Sequence, residues 1–362
     1  MRSLRRTRSA REPLQNSERH EREVPTVDES KARAPRAEPT SKLVSMRDAF
    51  GKGLVDAGRR NDRIVVLDAD LASSTRTSMF ADEIPERFIQ VGIAEQNMVG
   101  LAAGLSTVGY IPFACTFAVF MSKRACEQVS TSVAYPRLNV KLVGAYSGLY
   151  TGKTGATHQS LEDIAIMRAI PNIVVVVPAD AVQLSKALDA IVEYDGPVYL
   201  RVARDAYPVI FDESYRFELG KAVVLREGND ASIVAAGIMT QTALYAAEQL
   251  AREGLQLRVV NVSTIKPIDR EAICKAARET GAIVTVENHS IIGGLASSVA
   301  EVVTEECPVP VEKVGVTDVF GESGSNEDLT VKYGLSVDSV VEAVSRVLAK
   351  KRLGLGRRHS TG

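Results

Sequence analysis

From Gln96 to Ser122 the chain carries no charged side chain, a run long enough to span a bilayer. Gly100, Gly104, Gly109 and Pro112 punctuate that run, and Asn97, Ser106, Thr107 and Thr116 dilute it. Hydrocarbon cannot satisfy the backbone groups such breaks would free, so a membrane span is the poorer reading. The run instead predicts a buried helix to about Val108, a turn at Gly109 and a core strand from Tyr110. Elements that are apolar all round are what a parallel sheet covered on both faces requires.

The rest of the chain keeps that rhythm. Strand-like runs at 63–67, 110–114, 140–143, 173–177 and 198–202 alternate with helical stretches at 46–57, 94–108, 122–134 and 180–193. A second series follows, with strands at 232–235, 258–261 and 282–287 and helices from Met239, Asp269 and Gly293. The expected fold class is therefore α/β, as two wound domains over 45–212 and 213–349, with a seam near 208–217 where periodicity lapses. Residues 1–44 are rich in Arg, Glu, Ser and Pro and are expected to be a disordered extension. Glu12, Glu18, Glu21 and Glu23 speak against an organelle transit peptide, and residues 350–362 read as a basic tail expected to fray.

Bulk chemistry excludes some classes of function. A net charge of -1 offers nothing to nucleic acid or to an anionic membrane. Cys115, Cys126, Cys274 and Cys307 are scattered, with neither a C-x-x-C pair nor histidines at metal-ligand spacing. Reduced thiols in a cytoplasmic protein are the expectation, and no metal ligand is assigned to this chain. There is no P-loop, no dinucleotide-binding G-x-G-x-x-G and no nucleophile elbow. Gly293-Gly294 opens a helix after a strand, which suits either an anion at the free N–H groups or close helix–strand packing.

An ordered set of motifs is more specific. Val91-Gly92-Ile93-Ala94-Glu95-Gln96-Asn97 is followed by Thr116-Phe117 with Phe120, then by Gly155-Ala156-Thr157-His158-Gln159. Pro171-Asn172, Pro178-Ala179-Asp180, Phe320-Gly321-Glu322-Ser323-Gly324 and Tyr333-Gly334 complete the series. Over about 46–348 this resembles the C-terminal half of a transketolase, the pyrimidine-binding domain followed by the C-terminal domain.

The resemblance implies a thiamine diphosphate enzyme. Glu95 matches the carboxyl that hydrogen-bonds the cofactor's pyrimidine N1′ and favours the imino tautomer; an apolar site that raises its proton affinity suits that task. A helix-opening Glu is also favoured by the macrodipole alone, so the surrounding motif carries the assignment. Phe117 and Phe120 match aromatics that stack on the aminopyrimidine ring, and Lys123 stands where a third aromatic is frequent. His158 matches a histidine facing the substrate's hydroxyl and carbonyl groups. Arg47, Ser74 and Arg204 fall where the family grips a sugar phosphate, and two guanidiniums with a hydroxyl make a sensible dianion clamp. Asp70 matches an acidic residue at the cofactor interface.

Two positions depart from the family. Thr154 replaces an acid that contacts the donor's hydroxyl, and Tyr146 replaces a histidine before the same loop. Also missing is the G-D-G…N element that binds the diphosphate and its Mg²⁺. The expected protein is thus the small subunit of a split transketolase, transferring a two-carbon ketol unit from a ketose phosphate to an aldehyde. A separate N-terminal subunit carrying G-D-G…N would complete the site, as a heterotetramer or similar assembly. The alternatives are a 2-oxoacid dehydrogenase β subunit, a deoxyxylulose-phosphate synthase relative, or a non-catalytic scaffold of the same fold.

Overall fold

The structure is a computed structural model that describes residues 42–359. The extension expected to be disordered lies outside the described residues except at its end, where Leu43 and Val44 enter a strand. The strands of the first half are β1 (Leu43–Ser45), β2 (Ile64–Asp68), β3 (Phe88–Gln90), β4 (Ile111–Phe117), β5 (Lys141–Ala145), β6 (Val174–Val176), β7 (Val198–Arg201) and β8 (Ala206–Pro208). Those of the second are β9 (Val223–Arg226), β10 (Ala231–Ala235), β11 (Leu257–Asn261), β12 (Thr264–Lys266), β13 (Ile283–Ser290) and β14 (Val311–Val316).

A seven-stranded sheet has the order β12-β6-β7-β5-β4-β2-β3, parallel throughout except for β12, which runs antiparallel to β6. A five-stranded sheet follows as β14-β13-β10-β11-β9, with only β9 antiparallel. β12 therefore leaves the second half of the chain to edge the sheet of the first. The charge-free run resolves into the helix Glu95–Thr107, β4 and the start of the helix Ala118–Lys123. Among the described residues no helix is long and apolar enough to cross a membrane.

Both faces of the larger sheet are covered, which is why its strands are apolar on successive residues. Phe50, Leu54, Phe80, Leu184 and Leu188 bury one face. Met98, Ala102, Val129, Val133 and Met167 bury the other, and that layer continues without a break into Val260, Ile273 and Val299 of the second half. Each such Leu or Phe contributes roughly 1.5–3 kcal/mol when removed from water. Helix starts are fixed locally: Ser45 Oγ accepts the Asp48 N–H at 3.2 Å, and Asp180 Oδ1 accepts the Gln183 N–H at 2.7 Å. Asp180 Oδ2 also takes the N–H groups of Ile210 and Phe211, so the Pro178-Ala179-Asp180 motif pins the segment leading out of the first sheet.

Two details differ from the sequence reading, and a third decides between its two alternatives. The stretch 122–134 is not one regular helix: the helix Ala118–Lys123 ends with the Phe120 carbonyl accepting from both Arg124 and Ala125, and Val129–Ala134 is a π-helix. A run containing Val129, Thr131 and Val133 has little preference for a regular helix, and wide turns of this kind occur often at functional sites. The helix Val337–His359 runs into the stretch set apart as a basic tail, and Lys351 Nζ donates to the carbonyls of Asp230 and Thr280, both at 2.8 Å. The helix opened by Gly293-Gly294 holds an internal carboxylate instead of an external anion. Glu287 accepts the N–H groups of Leu295 and Ala296 at 2.7 and 2.8 Å. A Cβ on Gly294 would lie 2.1 Å from Glu287 Oε2, so only glycine lets the carboxylate approach.

Candidate active site

The strands of the larger sheet deliver the candidate residues at or just beyond their C-terminal ends. Asp70 follows β2, Glu95 follows β3, Phe117 ends β4, Tyr146 follows β5 and Arg204 follows β7. In open parallel sheets this is the edge where ligands bind. Two of these residues hold left-handed backbone, Asp70 at φ 62 and Tyr146 at φ 55. For a bulky aromatic that conformation is strained, and it persists only where the surroundings over-determine it.

Tyr146 is so determined. Its ring is only 7% exposed and stacks on Phe117 with centroids 4.2 Å apart. Arg47 Nη1 donates to its hydroxyl at 2.8 Å, and the guanidiniums of Arg47 and Arg204 each lie 5.1 Å from its ring centroid. Arg47 Nε donates to the Arg204 carbonyl at 2.6 Å, and Nη1 donates to the Ser74 carbonyl at 2.9 Å. Arg47, Ser74, Arg204 and Tyr146 therefore form one cluster, in which Ser74 meets Arg47 through its backbone oxygen. Arg204 Nη1 donates to the Thr151 carbonyl at 3.1 Å, and Thr154 Oγ1 donates to Thr151 Oγ1 at 2.9 Å.

The other end of the row holds Glu95. Its carboxyl opens the helix Glu95–Thr107, is 5% exposed and accepts from Arg124 Nη1 at 2.8 Å. The Arg124 guanidinium lies over the Phe120 ring, 3.8 Å from the centroid. Phe120 and Phe117 are 5.7 Å apart at an interplanar angle of 27°. The His158 ring meets both edge-on at 5.4 and 6.0 Å, and its Nδ1 pairs with Thr157 Oγ1 at 2.9 Å. Lys123, which stands where a third aromatic is frequent in the family, lines the cavity beside Phe120 and Thr157 and pairs with Glu162 at 3.0 Å. Asp70 is exposed beside this row, its N–H bonded to Gln90 Oε1 at 2.7 Å.

The second half of the chain positions the loop carrying Tyr146, Thr154 and His158. Asn288 Oδ1 accepts the Leu149 N–H at 2.9 Å, and Gln159 Nε2 donates to the carbonyls of Leu149 and Glu322 at 3.1 and 2.9 Å. Arg201 pairs with Asp163 at 2.8 Å and donates to the carbonyls of Ser160 and Asn288. Burial pushes the Asp163 carboxyl up, but Arg201 beside it outweighs this and holds it below the usual range. Gly155, at φ 76, carries the loop past Ser323, whose Oγ would lie 2.6 Å from a Cβ there.

Sequence reasoning missed Arg124, Asp68 and Asn288. The signal for Arg124 was the sudden Lys123-Arg124 pair that ends the uncharged run. Asp68 is buried and accepts from the Leu71 N–H at 2.6 Å and from the hydroxyls of Thr75 and Thr77, both at 2.8 Å, so it shapes the turn that carries Asp70 and Ser74. Nothing local marks Asn288, because its partner is 139 residues away in sequence.

A paired α/β frame with an aromatic and carboxyl cleft at the strand ends defines a class of two-domain cofactor-binding enzymes. Family models narrow it: residues 42–209 match the transketolase pyrimidine binding domain and 220–340 the transketolase C-terminal domain. The chain belongs to the transketolase family, among the C-terminal subunits of split transketolases. It is 47% identical to the 6-deoxy-6-sulfo-D-fructose transketolase subunit SqwH of Clostridium sp. (strain MSTE9), covering 84% of this chain and 95% of that one. It is 45% identical to a putative transketolase C-terminal section of Methanocaldococcus jannaschii, covering 84% and 97%. A solved structure described as a split gene transketolase, inactive beta4 tetramer, matches with a TM-score of 0.80 and 54% identity, covering 85% and 99%.

Proposed function

We propose that this chain supplies the pyrimidine-binding and substrate-facing half of a transketolase whose diphosphate and Mg²⁺ are held by a separate subunit. The observation that carries this reading is the single row running from Glu95 through Phe120, Phe117 and His158 to Tyr146, Arg47 and Arg204. Thiamine diphosphate, when bound, supplies a thiazolium carbon nucleophile for two-carbon transfer. The fit of its flat aminopyrimidine is supported by Phe120, whose face already carries a planar group at stacking distance beside the Glu95 carboxyl. Mg²⁺, which prefers carboxylate, carbonyl and phosphate oxygens, goes to the partner with the diphosphate, because the G-D-G…N element that binds both in the family does not occur in this sequence.

The remaining roles follow from position. Glu95 presents its carboxyl to the pyrimidine edge as the hydrogen-bonding group there. His158 moves protons at the substrate's oxygens. Arg47 and Arg204, both beside the Tyr146 ring, bind the donor's terminal anion. A relative named for 6-deoxy-6-sulfo-D-fructose also takes a sugar with an anionic group on its last carbon. Thr154 offers a neutral hydroxyl already turned to Thr151, so the donor's hydroxyls are read less tightly. The partner carries the G-D-G…N element in a heterotetramer, and the enzyme works in carbohydrate metabolism in the cytoplasm.

Replacing Arg204 by Ala tests the clamp in the reconstituted complex. Loss of one charge-assisted contact, worth roughly 1.5–3 kcal/mol, should lower kcat/KM for phosphorylated donors about ten- to a hundredfold. Unphosphorylated ketoses should be nearly unaffected. Equal losses for both donor classes would remove the clamp from the reading.

A further inference from the structure

Arg124 has no part in the roles given above, yet it touches two of their central groups. Its Nη1 is 2.8 Å from Glu95 Oε1, and its guanidinium sits 3.8 Å from the centroid of Phe120. Its side chain is 48% exposed, so packing does not lock it in place. It also lines two cavities, about 370 Å³ on the side of Phe120, Thr157 and Phe320, and about 420 Å³ on the side of Ile93, Glu95 and Asn97. The side chain is thus the partition of one cleft. It springs from the wide turn at which the Phe120 carbonyl accepts both the Arg124 and Ala125 N–H groups.

We propose that Arg124 is a latch over the cofactor's pyrimidine slot: before the cofactor binds, in this subunit and in its complex alike, its guanidinium takes the ring's place on Phe120 and occupies Glu95, and it must swing out before the ring can stack. This rests on the role given above to Glu95. Arg124 is accordingly a positioning residue, acting through Glu95 and Phe120. A closed latch multiplies the observed affinity by the fraction of open molecules, which slows entry and weakens binding together.

The test uses the two-subunit complex, with thiamine diphosphate and Mg²⁺ as the probe. Association is followed by stopped flow and affinity by calorimetry, for wild type, Arg124→Ala and Arg124→Gln. A partly exposed ion pair together with a cation–π contact predicts cofactor binding about three- to thirtyfold tighter in both variants, and faster by a similar factor. Glu95→Gln should also speed entry, and the double variant Glu95→Gln/Arg124→Ala should enter no faster than Arg124→Ala alone. Unchanged or weaker binding in both Arg124 variants overturns the latch. The near-ultraviolet circular dichroism of the bound cofactor's imino form separates the two claims. If Glu95→Gln leaves that signal intact, the role of Glu95 is wrong. If the signal is lost while the Arg124 variants bind as wild type, only the latch falls.

Discussion

The proposed chemistry turns on Glu95, whose surroundings suit that role. Its side chain is 5% exposed at the start of the helix Glu95–Thr107, and it accepts a hydrogen bond from Arg124, whose own side chain is 48% exposed. Glu95→Gln is close to isosteric and should leave assembly and melting temperature nearly unchanged. In the reconstituted complex the same change should strongly depress exchange of the cofactor's C2 proton, measured by deuterium incorporation. Exchange at the wild-type rate would show that another group does this work. Thr154→Asp should sharpen discrimination between C3/C4 stereoisomers of the donor about ten- to a hundredfold, read as a ratio of kcat/KM values. The motif residues were legible because each is a chemical type fixed by a local pattern, as in Thr157-His158-Gln159. Arg124 and Asp68 were not, because what they do depends on which distant atoms the fold brings beside them.

At the scale of elements, the charge-free run and the βα alternation fixed the order of strands and helices along the chain. What escaped were the short or irregular pieces. β3 and β12 are three residues each, too short for periodicity to show, and β12 depends on a partner strand from the other half of the chain. The helix after β13 illustrates how an apparent anion site is filled from within. Burial pushes Glu287 up to about 7 and the neighbouring His289 down to about 4. His289 Nδ1 lies 2.7 Å from the Ser290 carbonyl and Nε2 accepts the Ala165 N–H at 3.4 Å, which suits a neutral ring. From its ordinary 4.5 up to about 7, the folded chain holds a proton on Glu287 that the unfolded chain has lost, so this contribution fades as pH rises through 7. From about 4 to 6.5, the unfolded chain holds a proton that folded His289 lacks, so that contribution grows with pH. The two slopes oppose each other. In Glu287→Gln the histidine slope should stand alone, and urea titrations should show stability climbing more steeply over that acid range than in wild type. No change in slope would mean that the pair is not set as described. Asn288→Ala, by removing the acceptor for the buried Leu149 N–H, should cost about 1–3 kcal/mol and raise KM for the donor.

As a whole, the molecule joins a pyrimidine-binding domain to a C-terminal domain of the transketolase family on one chain. The C-terminal half of the chain holds the loop carrying Thr154 and His158 through Asn288 and Glu322, which accounts for why the two halves travel together on one polypeptide. The groups that would hold a diphosphate and its metal are the part the sequence reading expected elsewhere, and a related split-gene subunit is described as an inactive tetramer on its own. The direct measurement is ketol transfer, from a phosphorylated ketose to an aldehyde with thiamine diphosphate and Mg²⁺ present, by three samples: this chain alone, the G-D-G…N subunit alone, and the two mixed. Activity confined to the mixture is the predicted result, and robust turnover by this chain alone would contradict it.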